Sequence, residues 1–524
     1  MSDGIKPTPP VPAPRAGQRF TFSGLVGSSD AALLAESALR YRAQFSILVV
    51  FCAQAQDAQR LSEEIPAFAP QLKTRLLPDW EILPYDQFSP HQDLVSERLA
   101  TLHAMLNGSC DIVLIPVTTA LQRLGPPQFL SGHTFFFKQG DRLNESALRL
   151  QLQQAGYDPV SAVMRPGEYS IRGGLIDLFP MGSALPFRLD LFGDEIEQLR
   201  AFDPDTQRSL YPVKEIRLLP GHEFPFDDAA RVAFRGRWRE VFEGDPSRCA
   251  IYKDANLGIP SAGIESYLPL FFAEPATLFD YLPLAGEGVW LASVGDIEGS
   301  IRSFWKETQS RYNFLKHDVE RPILNPDALF LDVDTFFTQA KAYPRLTLED
   351  ASFANPGAAT TSSAFLPVPE VAVHRRDADP LSRLRHLVAQ QQYRIVICAD
   401  TAGRRESIRQ LIEESNLVVD AKNNAPFALK PAQSETLADF ISSKANFGLV
   451  VAPLFNGFSW PSAKLIVITE AELFTATARQ RRKSGAQQIS DPDMLFKDLA
   501  ELKIADPVVH AEHGIGRYQG LVRS

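Results

Sequence analysis

Ser46-Ile-Leu-Val-Val-Phe-Cys52 is an uncharged apolar run rich in β-branched residues, and Asp111-Ile-Val-Leu-Ile-Pro116 repeats the pattern further along the chain. A polar helical stretch, 55–64, and a second helical stretch, 94–106, lie between the two runs. Strands that are apolar on both faces and alternate with helices predict a parallel α/β sheet. Past Gly132 the texture changes. Between Thr134 and Leu219 shorter, antiparallel-type strands are punctuated by turn signals at Gln139-Gly140, Gly173-Gly174 and Gly193-Asp194, which predicts a small α+β insert. Apolar and aromatic residues then crowd 267–272 and 278–284, and 288–293 has the pattern of a returning strand, so the first α/β domain is expected to resume.

Further on, 354–369 is rich in Ala, Thr, Ser and Pro, the profile of a linker. Another α/β unit follows, with helices at 384–391 and 403–414 and strands at 393–398, 449–452 and 464–469. Residues 477–488 carry Arg479, Arg481, Arg482 and Lys483 without a core pattern and are expected to form a second linker. That basic run is either a phosphate-backbone contact or a solvated linker face. A new β element begins at Val508, where Gly514, Gly516 and Gly520 suit tight turns, and the sequence stops at Ser524 before a small barrel is complete. The expected organisation is a flexible leader (1–17), an α/β domain in two parts (18–133 and 221–353), an inserted α+β domain (134–220), a linker (354–370), a further α/β domain (371–474), a second linker (475–490) and an incomplete β domain (491–524).

Composition agrees with a multidomain globular chain. A length of 524 residues suits roughly three to four domains. Hydrophobic residues at 45% and charged residues at 22% argue against disorder as the default, and a formal net charge of −10 argues against a uniformly basic nucleic-acid coat. Cys52, Cys110, Cys249 and Cys398 lie far apart and are expected to be small core residues of a reducing cytosol. The histidines, His510 and His513 included, show no ligand spacing, so no metal site is expected. No apolar run reaches the roughly 18 residues needed to span a bilayer, and 1–17 lacks the pattern of a secretion signal. A soluble cytoplasmic protein without a membrane partner is expected.

A working phosphate loop has the form Gly-x-x-x-x-Gly-Lys-Ser/Thr between a strand and a helix, so that backbone N–H groups, the lysine and the hydroxyl hold phosphate and Mg²⁺. The one candidate in the first α/β domain is Gly24-Leu-Val-Gly-Ser-Ser-Asp-Ala31. Gly24 and Gly27 are present, but Ser29 replaces the second glycine of the motif, Asp30 the lysine and Ala31 the metal ligand. A like-charge pair at about 4 Å costs roughly 4 kcal/mol at an effective dielectric near 20, so Asp30 would oppose a nucleotide. The alternative role is helix capping by Ser28, Ser29 or Asp30. No catalytic residue and no cofactor are expected in this chain.

In the insert, Phe187-Arg-Leu-Asp-Leu-Phe-Gly193 alternates with period two. Phe187, Leu189 and Leu191 form the natural core face, and Arg188, Asp190 and Phe192 share the other. Exposed arginine beside exposed phenylalanine is the composition of a protein-interface hot spot. The plainer alternative has Phe192 covered by a loop and Arg188 paired with a carboxylate.

Three longer stretches carry a resemblance. Leu77-Pro-Asp-Trp-Glu-Ile-Leu-Pro-Tyr-Asp-Gln-Phe-Ser-Pro-His-Gln-Asp93 resembles a segment of the UvrB-like module of the bacterial transcription-repair coupling factor (Mfd) family. Gly167-Glu-Tyr-Ser-Ile-Arg-Gly-Gly-Leu-Ile-Asp-Leu-Phe-Pro-Met-Gly-Ser183 is similar to the core of that family's UvrA-contacting insert. His510-Ala-Glu-His-Gly-Ile-Gly-Arg-Tyr518 resembles the opening of its RNA-polymerase-interacting domain. The resemblance implies a UvrB-like parallel α/β domain split by a UvrA-binding insert, a non-catalytic α/β domain, and the start of a small CarD/Tudor-like β-barrel. It implies a docking platform that recruits UvrA to stalled RNA polymerase in transcription-coupled nucleotide-excision repair. Arg172, Arg188 and Phe192 would be the UvrA contacts, with Asp190 and Glu195 at the rim. Arg517 and Tyr518 would face the β subunit of RNA polymerase. ATP and Mg belong to the family's DNA translocase motor, expected to be missing here along with most DNA contact, and the fragment is expected to be a monomer. The short path from Pro84 to the 94–106 helix leaves no room for the damage-probing hairpin of UvrB. The competing readings are a UvrB-type ATP-dependent excision-repair helicase and a general α/β scaffold.

Overall fold

The computed structural model describes residues 11–13, 15, 17–283, 288–350, 365–374, 377, 379–420, 428–432, 434–474, 507–510 and 514–517. Four strands come first, β1 (Arg19–Leu25), β2 (Ile47–Cys52), β3 (Thr74–Leu76) and β4 (Ile112–Pro116), interleaved with helices α1 (Ser29–Tyr41), α2 (Ala55–Phe68) and α3 (Gln92–Leu106). Eight short strands follow: β5 (Phe135–Lys138), β6 (Asp158–Pro159), β7 (Glu168–Arg172), β8 (Leu175–Leu178), β9 (Phe187–Phe192), β10 (Glu195–Phe202), β11 (Ser209–Pro212) and β12 (Glu215–Leu218). Then come β13 (Val289–Val294), β14 (Arg345–Asp350), β15 (Arg394–Ala399), β16 (Phe447–Val451), β17 (Phe458–Trp460), β18 (Leu465–Thr469), β19 (Pro507–His510) and β20 (Gly514–Arg517).

The first sheet has the order β1-β14-β13-β2-β4-β3, with every neighbouring pair parallel. Its strands come from both sides of the 135–218 region. Every residue of β2 and β4 is buried, as a parallel strand covered on both faces must be. Alternate residues serve different cores: Ile47, Val49 and Phe51 face the packing that runs on into the insert, while Leu48, Val50 and Cys52 face a second core. Between β3 and β4 the chain carries α3 and no strand.

The insert is a six-stranded sheet, β11-β10-β9-β8-β7-β6, antiparallel except for β6 with β7, and β5 pairs with β12 beside it. The last large sheet, β16-β15-β18-β17, is parallel at its centre with β17 antiparallel at the edge. β19 and β20 form an antiparallel pair, and a barrel lies outside the described residues. All four cysteines are free and buried, and among the described residues no helix is long and apolar enough to cross a membrane.

Two stretches expected to be loose have anchored residues among those described. Val11, inside the expected leader, is buried, and its carbonyl accepts a 2.8 Å hydrogen bond from the Tyr41 hydroxyl. The end of the expected 354–370 linker is tied to the last sheet. Leu366 exchanges backbone hydrogen bonds with Ser459 at 2.9 and 2.7 Å. Phe365, 1% exposed, packs against Phe22, Phe458 and Trp460 with ring centroids 6.1, 5.6 and 5.2 Å away. A Pro-, Ser- and Ala-rich stretch hides such an anchor because a single aromatic residue carries it. Through Phe365 the two α/β units share one core. Phe365→Ala is expected to cost about 3–5 kcal/mol of stability, measured by urea unfolding, with the 371–474 unit losing protection first in hydrogen exchange.

Candidate docking surface and the filled phosphate loop

Gly24, near the end of β1, and Gly27, in the loop after it, both take the left-handed backbone that glycine favours, at φ +83° and +56°. Protein occupies part of the space at this loop, beside a cavity of about 670 Å³ lined by Gly27, Asp30, Arg60 and Asn456 among others. The Ser28 N–H, aimed where a phosphate oxygen would sit, donates to the Asn456 carbonyl at 3.0 Å. A Cβ on Gly27 would lie 2.7 Å from that same carbonyl oxygen, and the Gly457 carbonyl is also within reach. The segment of Asn456 comes from the 371–474 unit.

A buried carboxylate fixes the junction. Glu64 on α2 accepts the Ser28 hydroxyl at 2.8 Å and the Phe455 N–H at 2.7 Å. Arg60, one turn earlier, holds Glu64 at 2.7 Å and grips both oxygens of Asp30. Burial pushes the Glu64 carboxyl above its usual range, against the pull of Arg60. Two expectations change. The capping position is Ser28, but its side chain makes no cap: its hydroxyl donates to Glu64 and accepts from the Asn456 N–H at 3.3 Å, while Asp30 accepts the Ala31 N–H at 2.8 Å. Asp30 does not present a bare negative charge, because Arg60 neutralises it bidentately. Ser29 accepts from the Val26 N–H and Ala31 is fully buried, so neither offers a group to Mg²⁺.

The insert's sheet has one apolar and one polar face. Leu189 is buried, and Phe187 and Leu191 pack at the edge of the same core. Cross-strand neighbours put Arg172, Leu175, Asp177, Arg188, Asp190, Phe192 and Gln198 on the opposite face. At its centre lies Asp177, 1% exposed. Arg188 donates to both its oxygens at 2.7 and 2.9 Å, and Arg172 reaches it from the neighbouring strand at 2.7 Å. Arg188 also donates to the Gln207 carbonyl at 3.2 Å and stacks on Phe202, 4.8 Å from the ring centroid. Hydrogen bonding to Asp177 raises its pKa despite partial desolvation, with further help from the Asp177 and Asp190 charges.

Two hairpins end at one edge of this face. Gly173 (φ +61°) begins the two-residue turn joining β7 to β8, and Gly193 (φ +65°) the turn joining β9 to β10. They leave the Arg172 side chain half in solvent and Phe192 78% exposed. Asp190 is half-buried, two positions from each of Arg188 and Phe192, and Glu195 is exposed opposite Phe192. Both alternatives for this face are therefore partly met: Arg188 pairs with a carboxylate, and Phe192 stands open. Arg517 falls in β20, where only the backbone is described, and Tyr518 lies outside the described residues. Among the described residues no cluster of side chains could hold a metal ion.

Asp177 and Glu64 escaped the reading of the sequence. Asp177 left a signal, as the single acid within Leu175-Ile-Asp-Leu178, directly across from Arg188. Glu64 left none, since its partner Phe455 is 391 positions away.

Comparison with known proteins places two regions of the chain. Residues 135–224 match the UvrB interaction domain, and 388–473 match the MFD D3 domain. The chain is 41% identical to the transcription-repair-coupling factor of Haemophilus influenzae over 484 residues, which is 91% of this chain and 40% of that protein. It is 39% identical to the Escherichia coli protein of the same name over 522 residues, 99% of this chain and 43% of that protein. Identity to the Bacillus subtilis protein of that name is 23% over 489 residues, 89% of this chain and 39% of that protein. The chain thus spans about two-fifths of the length of these relatives.

Side chains on the polar face divide by duty. Arg188→Ala leaves a buried Asp177 with one partner and is expected to destabilise the insert by about 2–3 kcal/mol. Phe192→Ala, already in solvent, should stay within about 0.5 kcal/mol of the parent. Urea titration of both variants measures the difference.

Proposed function

Because the chain belongs to the transcription-repair-coupling factor family, we propose that its insert is the surface through which UvrA is recruited in transcription-coupled nucleotide-excision repair. The observation that carries this reading is Phe192, a large apolar ring left in solvent at a hairpin end. Beside it, Arg172 is half exposed and partly committed to Asp177. An aromatic anchor with a guanidinium donor next to it is the chemistry of an interface hot spot. Asp177 orients the donors. Asp190 and Glu195 belong to the rim, where charge tunes encounter more than affinity. The name of the domain matching 135–224 supports the same role.

In this reading the first α/β domain does not hydrolyse ATP. Its phosphate loop serves as an intramolecular socket, whose Ser28 N–H is taken by the Asn456 carbonyl. The UvrB-type helicase reading loses its support there, and also at 77–91, where no probing hairpin is found. ATP-driven movement on DNA is assigned to the part of the relatives' length that this chain does not span. RNA polymerase contact is assigned to the region of β19 and β20, with Arg517 and Tyr518 as its nearest candidates, and the cytoplasm is the compartment this role requires.

Phe192→Ala and Arg172→Ala are each expected to weaken binding of purified UvrA by more than about 1 kcal/mol. Titration calorimetry measures this, and unchanged affinity in both removes the insert from the role. Nucleotide is tested separately: equilibrium dialysis with ATP and Mg²⁺ should find no micromolar binding, and micromolar binding would overturn the socket.

A further inference from the structure

The cavity of about 670 Å³ beside the loop after β1 extends back over one face of β1, β14 and β13. A parallel sheet is ordinarily covered by apolar packing on both faces, as β2 and β4 are. β1 and β14 depart from that rule by alternating. Phe22, Leu346 and Leu348 enter the core on one side, while Arg19, Arg345 and Thr347 line the cavity on the other.

Arg19 and Arg345 open their strands and stand directly opposite each other in the register. Like charges so placed repel. Among the described residues neither has a carboxylate partner. Exposed Arg19 donates its Nε–H to the Thr347 hydroxyl at 3.0 Å. Arg345 is half-buried, and burial, followed by the Arg19 charge, pulls its pKa below the usual range. The acids around the cavity are committed elsewhere or remote. Asp30 and Asp57 face Arg60, Asp296 caps the helix Ile297–Leu315, and Glu298 pairs with Arg302. Glu349 lies further along β14 from Arg345, roughly 13 Å away at about 3.3 Å per residue.

Two uncompensated guanidinium groups side by side select the ligand. A carboxylate or a phosphodiester would bring a single negative charge. A phosphate monoester brings close to two at neutral pH, with three acceptor oxygens for the guanidinium forks. The space is larger than a phosphate and of a size that suits a small organic molecule. On its wall the ring of Phe337, from the helix Val333–Ala340, is half-buried and so offers an apolar surface. We propose that this cavity is a binding site for a phosphate monoester carried on a flat apolar body, with the phosphate held between Arg19 and Arg345 and the body along Phe337. The two arginines lie at the amino-terminal ends of their strands, roughly 20 Å along β1 from the loop whose Ser28 N–H is taken. The site is therefore separate from the phosphate-loop position, and its ligand would not use that loop.

The test titrates the whole chain with phenyl phosphate by calorimetry near neutral pH. Methyl phenyl phosphate, a diester with the same ring and one charge, is the control. The parent should bind the monoester saturably and the diester about tenfold more weakly or worse. Arg345→Gln removes one of two opposed like charges, so the variant should melt no lower than the parent. It should nevertheless bind phenyl phosphate about tenfold more weakly, the loss of one hydrogen bond to a charged group. Arg19→Gln, at an exposed position, should weaken binding by a similar factor with the melting temperature unchanged. No saturable binding at millimolar concentration, equal binding of the diester, or undiminished binding by both variants would overturn the proposal.

Discussion

The Glu64 carboxylate is the point at which separate parts of this chain become one structure. It belongs to α2, yet its oxygens take a hydroxyl from the loop after β1, a backbone N–H from Phe455 and a guanidinium from Arg60. A carboxylate at 1% exposure is tolerable only when every partner is present. Its neighbours are held with it: the Ser28 hydroxyl lies between Glu64 and the Asn456 N–H, Asp30 is committed to Arg60, and the Asn456 carbonyl accepts the Ser28 N–H.

A similar economy governs the insert. Asp177 is the buried charge, and Arg172 and Arg188 neutralise it from neighbouring strands. Arg188 commits three of its five donors inside the protein, while Arg172 and Phe192 keep an outward side. Removing Arg188 therefore disturbs the sheet that presents Phe192. Phe192 separates docking from stability because its contribution to the fold is small.

The parallel sheet was legible because β2 and β4 are apolar at every position, a pattern that survives without knowledge of their neighbours. The alternation of Phe187–Phe192 and the glycines of the two hairpins likewise announced which residues would face out. The anchors were not legible. Val11 and Phe365 sit in proline-rich, low-complexity surroundings whose composition outweighs one buried side chain. Asp30 was legible as a residue unsuited to phosphate, but its neutralisation depends on an arginine 30 positions away. Long-range partners such as Phe455 leave no periodicity behind, and periodicity is what a single sequence offers.

The order of strands in the first sheet has a consequence for the protein's birth. β1 has one neighbour in that sheet, β14, and Arg19 meets Thr347 across 328 positions of sequence. At translation rates of about 5–20 residues per second, β1 leaves the ribosome roughly 15–65 s before the strand that will hold it exists. Meanwhile β2, β4 and β3 can pair among themselves, and the whole insert can fold as a hairpin-rich unit with local contacts. The nascent chain therefore passes through a period in which α1 can already pack on α2, while β1, with its inward Phe22 and Leu25, still lacks its sheet neighbour. That interval makes the arrival of β14 the event that closes the sheet at its β1 edge.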